Sequence, residues 1–217
     1  MKKRKRTVLA GIILTLALTS TAFAADKTQI LRRRESYDQY YFSYDASIVS
    51  FDDTATEIDA NAVNQILTDE AKNAFYSVSE LCTSTALSKS TLHMNYLQTV
   101  ADLTDRYISV EVIKQLKLDQ RQIYNTKEGI VVDLLTGEKL QFEQLFKADS
   151  DYMDVISAQM TQLGMQKKGK VKEGQFYLTD THLVLLEYSG IKDANGTVTR
   201  EYKIPLENIA FVMKNSF

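Results

Sequence analysis

The sequence has few of the cysteine, histidine and proline residues that cross-link a chain, bind metals or interrupt secondary structure. Its 217 residues include one cysteine, one proline, two histidines and no tryptophan. Cys82 lies in a predicted helix, where we expect a buried thiol. Because it is the only cysteine, it excludes an intramolecular disulfide. Stability must therefore come from burial of apolar side chains, which a chain of this length can supply. With one cysteine, His93 and His182 in separate predicted elements cannot form a local zinc motif. We therefore expect no metal and no cofactor.

Recognisable catalytic motifs are absent as well. The chain has no glycine-rich phosphate loop, no G-x-S-x-G and no H-E-x-x-H. His93 alternates with apolar residues on a predicted strand, which favours a surface position, and His182 falls in a predicted turn. Asp133 and Glu143 are candidate carboxylates for glycoside hydrolysis, but acidic residues beside predicted turns are usually caps or solvated. We expect a protein that is not an enzyme, with a carboxylate-based cell-wall hydrolase as the alternative.

The first 24 residues have the pattern of a signal peptide. Basic Lys2–Arg6 precede a short apolar run, Val8–Leu18, and Ala22-Phe23-Ala24 forms a small-x-small cleavage site. The run is shorter than the ~20 residues of a membrane span, although an uncleaved anchor remains open. Cleavage would lower Lys+Arg from 26 to 21 against 28 Asp+Glu, a net charge of about −7. We expect a periplasmic or extracellular protein that favours a cationic partner over nucleic acid.

Hydrophobic periodicity predicts an α+β fold over residues 37–217, after a flexible polar arm at 25–36. Its core is a mostly antiparallel sheet packed on a long amphipathic helix that begins at Asp59 or Asn61. A second helix ends at Gly164, and a C-terminal hairpin turns at Asn195-Gly196 before Pro205 ends its last strand. We predict one domain, with a possible subdivision near Phe146. The predicted strands are 37–51 (as one strand or two), 91–99, 107–114, 130–134, 176–178, 183–188 and 197–204.

One stretch carries a family resemblance. VDLLTGEKL at residues 132–140, followed by Leu145-Phe146, resembles the signature of an exported bacterial family. That family includes the extracytoplasmic part of the anti-sigma factor RsiV and the N-terminal module of some peptidoglycan deacetylases. The similarity covers roughly Tyr37–Ile209. Further segments resemble the family in the expected order: AVNQI (62–66), YISV (107–110), FYLTD (176–180) and KIPL (203–206).

The resemblance implies a ligand-binding or sensory module of the bacterial cell envelope, here standing alone. Its partner would be an envelope protein or a cell-wall ligand; the RsiV member recognises lysozyme, which is cationic. Family members often carry a loop with a glycine pair and a histidine, whereas the corresponding residues here have neither. The implied partner-binding residues of this loop are Leu116, Lys117, Asp119 and Arg121. A structural or assembly role in the envelope is a further alternative.

Overall fold

The computed structural model describes residues 30–39, 42–52, 58–84, 91–119, 121–165, 171–172, 174–188 and 199–214. The predicted signal peptide, the Asn195-Gly196 turn and the side chain of Cys82 lie outside this description, so those predictions stay untested. Within these ranges, no helix is both long and apolar enough to cross a membrane.

The described chain is mostly sheet, with two α-helices. Its first sheet contains, in spatial and chain order, β1 (Ile30–Gln39), β2 (Phe42–Phe51), β3 (Leu92–Leu103), β4 (Tyr107–Leu118), β5 (Arg121–Asp133) and β6 (Glu138–Lys139). Neighbours are antiparallel except β2 and β3, which are parallel because helix α1 (Ala60–Ser84) returns the chain between them. After helix α2 (Tyr152–Gln162), a second antiparallel sheet contains β7 (Phe176–Leu178), β8 (His182–Tyr188) and β9 (Thr199–Pro205).

Helix α1 covers one face of the first sheet. The Asp59 carboxylate accepts a hydrogen bond from the Ala62 N–H at 3.0 Å, which identifies Asp59 as the N-cap. The buried side of the helix faces β2 and β3. Its side chains recur every three or four residues, which places them on one side of a helix. These residues are Ala60, Val63, Leu67, Ala71, Ala74 and Val78.

The interior forms two main hydrophobic cores on opposite faces of β4 and β5. The first core lies under α1 and includes Ile108 and Val132, whereas the second includes Tyr107 and Val131. Because side chains alternate along a strand, adjacent residues of one strand contribute to different cores. The second core is completed by α2, the second sheet and the segment that begins at Leu140.

The prediction of a flexible arm at 25–36 is wrong for its described part. Residues 30–36 belong to β1, which pairs antiparallel with β2 in a register that joins Ile30 to Phe51. Edge strands tolerate charged side chains, so the polar composition concealed a strand. Residues 37–51 are predicted as one strand or two, and the structure divides them between the end of β1 and β2. Strand β5 is also longer than predicted, because its half-exposed first part, 121–128, lacks an apolar pattern.

The end of α2 follows the sequence-based expectation. Gly164 has φ +73°, and the Gly164 and Met165 N–H groups donate to the carbonyls of Thr161 and Met160 at 3.1 and 2.9 Å. This is a Schellman cap, which glycine favours because it has no Cβ. The predicted helix stop and the predicted strand end at Pro205 are both confirmed.

Candidate functional site

The turn after Asp133, within residues 132–140 of the family-like stretch, is held together by the Asp133 side chain. One oxygen of Asp133 accepts the N–H groups of Leu135 and Thr136 at 2.9 and 3.1 Å, and the other lies 2.5 Å from Arg106 Nη2. Of the two expectations for Asp133, a capping residue or a solvated one, the structure shows the first, because Asp133 is a buried residue that caps the turn. Glu143 lies exposed on the short 3-10 helix Phe142–Leu145. With both oxygens of Asp133 engaged, this pair does not offer the open carboxylates that hydrolysis requires.

A glycine joins this turn to the first helix. Gly137 has φ +63°, and a Cβ added there would lie 2.3 Å from the Ala62 Cβ. The Asp59 N–H also donates to the Leu134 carbonyl at 2.9 Å. The turn is therefore packed directly on the start of α1, and the glycine is required by both its conformation and its lack of a side chain.

Other family-like residues connect elements in the same way. The amide of Asn64 accepts the Phe51 N–H at 2.7 Å and donates to the Phe51 carbonyl at 2.9 Å, as a neighbouring strand would. In the second core region, the buried Ser109 hydroxyl accepts the Leu178 N–H at 2.8 Å, which links the two sheets. These side chains satisfy backbone groups inside the fold, so they build the scaffold.

The predicted partner-binding loop lies at the β4–β5 hairpin. Leu116 is only 4 % exposed and belongs to the first core, so it is not available at the surface. Asp119, at φ +54°, exchanges two hydrogen bonds with the Thr91 backbone: its N–H donates at 2.7 Å and its carboxylate accepts at 2.8 Å. Lys117 is half-buried and Arg121 is exposed. Contact with a partner through Lys117 and Arg121 stays a prediction.

A serine, a histidine and an aspartate meet on the face of the first sheet that points away from α1. Ser43 Oγ lies 2.7 Å from His93 Nδ1, and His93 Nε2 lies 3.9 Å from the Asp45 carboxylate. A catalytic triad needs a carboxylate that is hydrogen-bonded to the imidazole, and 3.9 Å is too long for that bond. The Asp45 side chain is also 59 % exposed. The three residues are polar cross-strand neighbours, and the predicted surface position of His93 is confirmed.

Two glutamates from distant strands converge on Lys127. Its Nζ lies 2.7 Å from Glu111 Oε1 and also pairs with Glu201. Burial lowers the pKa of Lys127, but its hydrogen bonds to the two carboxylates outweigh burial and raise the pKa above its usual range. A glycosidase pair flanks space for a sugar, whereas here an ammonium group fills the space between the acids. The cluster is an ionic cross-link of β4, β5 and β9.

A largely apolar cleft lies between β1 and α1, and we name it the aromatic cleft. It has a volume of about 320 Å³. The Phe75 ring lies 5.0 Å from Tyr37, 5.3 Å from Tyr44 and 5.4 Å from Tyr76, with nearly perpendicular ring planes in each pair. Its residues are Glu35, Ser36, Tyr37, Tyr44, Ala71, Lys72, Phe75 and Tyr76.

The ring of Tyr76 is the accessible part of this cleft. Tyr76 is 57 % exposed, whereas Tyr44 is buried and donates its hydroxyl to the Ala71 carbonyl at 2.8 Å. Burial raises the pKa of Tyr44 well above its usual range, so this ring is neutral. Aromatic faces with a few polar groups at the rim suit binding of an apolar group or a flat ring. Sequence reasoning missed the cleft because it assigned Phe75 and Tyr37 to a helix core and a strand.

The fold places the chain among α+β proteins with a six-stranded mixed sheet and a smaller three-stranded sheet. No protein-family model matches the sequence, and no curated protein matches it significantly. Among solved structures, it is similar to a DUF3298 family protein from Pseudomonas aeruginosa PAO1, with a TM-score of 0.57 and 10 % identity over 88 % of this chain and 96 % of that one. A DUF3298 family member from Bacteroides fragilis NCTC 9343 also has a TM-score of 0.57, with 11 % identity over 87 % and 94 %. At this identity, the likeness shows the fold alone.

Proposed function

We propose that this chain is an exported, non-catalytic binding module of the bacterial cell envelope and that the aromatic cleft is its recognition surface. The ligand is an envelope protein or a cell-wall component. The observation that carries the proposal is the exposed Tyr76 ring above a cleft of packed aromatic side chains. The signal-peptide pattern and the resemblance to the RsiV-like family support the compartment and the class of function. The likeness to DUF3298 structures agrees with that resemblance.

The cleft is suited to one side chain or one sugar ring. Its volume of about 320 Å³ lies at the small end of the range for ligand pockets. Tyrosine offers a large apolar face together with a hydroxyl group, and it is enriched among the residues that dominate binding energy. Lys72 and Glu35 add one charge of each sign to the lining. The ligand group is therefore apolar at its centre and polar at its edge.

Calorimetric titration of the mature chain with lysozyme and with soluble muropeptides tests the proposal. Substitution Tyr76→Ala should weaken binding by about tenfold or more, because truncation of a central aromatic anchor typically costs over 1 kcal/mol. Tyr188→Ala is the matched control, since Tyr188 is also 57 % exposed but lies on β8 of the second sheet. The control should change the affinity less than about twofold.

Two outcomes of this titration would overturn the proposal or part of it. Saturable binding to neither ligand set would refute recognition of these ligands, and equal losses in the two variants would refute the cleft as the site. Chromatography of the muropeptide samples after incubation checks the enzymatic alternative. New cleavage products that depend on the protein would favour a hydrolase.

A further inference from the structure

Over the described residues, strand β1 is an edge strand of the first sheet. Among the described strands it pairs with β2 alone, so the backbone groups on its other side pair with no other described strand. Ten residues make a long edge, and such an edge is a template for pairing with another strand. Helix α1 lies mainly over β2 and β3 and contacts β1 through Tyr37 and Arg33, so β1 is only partly covered where it borders the aromatic cleft.

The order of charges on β1 selects the geometry of such pairing. Arg34, Ser36 and Asp38 are exposed at alternate positions, and in the β1–β2 register they lie opposite Ser47, Asp45 and Ser43 on the face away from α1. An antiparallel second copy centred on Ser36 would set each Arg34 opposite Asp38 of the partner. Opposite charges at facing positions stabilise a strand pair, and like charges destabilise it.

Two neighbouring registers, both on the N-terminal side of Ser36, are less favourable. A pair centred on Glu35 would set two carboxylates face to face, and a pair centred on Arg34 would set two guanidinium groups face to face. Parallel pairing in register would stack every charge on its own copy. The charged edge thus opposes these registers and favours the one centred on Ser36.

We propose that two copies of this chain pair antiparallel through β1, with Ser36 at the two-fold axis, to form one continuous sheet. On the α1 side, this register sets Glu35 opposite Tyr37 and brings the two Tyr37 rings into diagonal contact across the axis. The two aromatic clefts therefore meet. The pairing needs no ligand, so it stands independently of the proposed function.

The pair has a defined consequence for the binding surface. Strands lie about 4.8 Å apart, so two helices that cover β2 and β3 of each copy are separated by roughly 20 Å. With helices about 10 Å in diameter, a groove about 10 Å wide remains between them. Its floor is the two β1 strands and its walls carry Tyr76 from both copies. An extended polymer or peptide segment fits such a groove.

Cross-linking tests the proposed register. In a Cys82→Ser background, Ser36→Cys places two thiols at directly facing positions, where Cβ atoms lie about 4.5–5.5 Å apart. Mild oxidation or a short bismaleimide should convert most of this variant to covalent dimer. Asn95→Cys is the control, because Asn95 is exposed on β3, two strands in from the edge, and should stay monomeric on a denaturing gel. Equal cross-linking of the two variants, or none in Ser36→Cys, would overturn the proposal.

Charge exchange tests the same pairing without a new thiol. Sedimentation equilibrium of the mature chain should show a monomer–dimer equilibrium. Arg34→Asp or Asp38→Arg alone should raise the dissociation constant about tenfold, because each makes two repulsive pairs, and the double exchange should restore it. All substituted positions are exposed, so folding should be unaffected. The dimer would be refuted by a chain that stays monomeric at millimolar concentration. It would also be refuted by a double variant whose dissociation constant is as high as those of the single variants. Pairing of β1 with an added peptide, and not with a second copy, would identify a different occupant of the edge.

Discussion

The substitution Gly129→Ala is expected to separate the two sheets. A Cβ on Gly129 would lie 1.8 Å from the Phe176 carbonyl oxygen, 2.4 Å from the carbonyl carbon and 2.9 Å from the Tyr177 Cβ. The obstacle is backbone, which cannot rotate away as a long side chain can. Strands β5 and β7 must therefore move apart by more than about 1 Å to reach ordinary van der Waals contact.

That movement breaks contacts that hold the sheets together. The Gly129 N–H donates to the Gly174 carbonyl at 2.9 Å, and the Leu178 N–H donates to Ser109 Oγ at 2.8 Å. Overpacking costs about 1–3 kcal/mol and each stretched buried hydrogen bond about 1 kcal/mol. We expect the free energy of unfolding to fall by about 3–5 kcal/mol, a large part of the 5–15 kcal/mol typical of a folded protein.

Urea unfolding followed by circular dichroism measures this loss. Gly129 has no positive φ, so without the clash alanine would stabilise the chain by about 0.4–1 kcal/mol by restricting the unfolded state. The steric clash therefore predicts a loss of stability, whereas restriction of the unfolded state alone predicts a gain. Gly164→Ala serves as the control, because a Cβ there meets nothing within 4 Å and the φ of +73° adds about 1–2 kcal/mol of backbone strain. A Gly129→Ala variant as stable as the parent would refute the close approach of β5 to β7.

Two further outcomes follow from the internal contacts. In urea titrations, Asn64→Leu should lower the free energy of unfolding by about 2 kcal/mol, because it removes both hydrogen bonds to Phe51. The control Asn61→Leu, at an exposed position of the same helix, should change this free energy by less than about 0.5 kcal/mol. Burial, followed by the Glu201 and Glu111 charges, raises the pKa of Tyr177 from 10.0 to about 12. Since the unfolded chain then loses this proton first, stability should fall from pH 10 to pH 12, by up to about 1.4 kcal/mol per pH unit for this residue. Tyr177→Phe should make the slope of stability against pH shallower, and an unchanged slope would contradict the assignment.

The elements with a strong apolar period could be predicted from the sequence. The cap at Asp59, the helix stop at Gly164 and the alternation in β4 each depend on neighbours along the chain, which a sequence displays directly. Strand β1 could not be predicted from the sequence, because its charged residues are equally compatible with an edge strand and with a mobile arm. Only the structure distinguishes the two, because β1 pairs with β2 and the Arg33 side chain donates a hydrogen bond to Thr68 on α1 at 2.9 Å.

The same reasoning separates the family-like residues from the candidate site. Asp133 completes a turn, Ser109 joins two sheets and Asn64 pairs with a strand end, so their polar groups are occupied within the fold. A residue occupied in this way specifies the scaffold and has little left to offer a ligand. Tyr76 is different, because the fold leaves more than half of its surface exposed. Chains that share the scaffold residues can therefore share a fold and still bind different ligands, and the identity of the residue at position 76 should follow the ligand rather than the family.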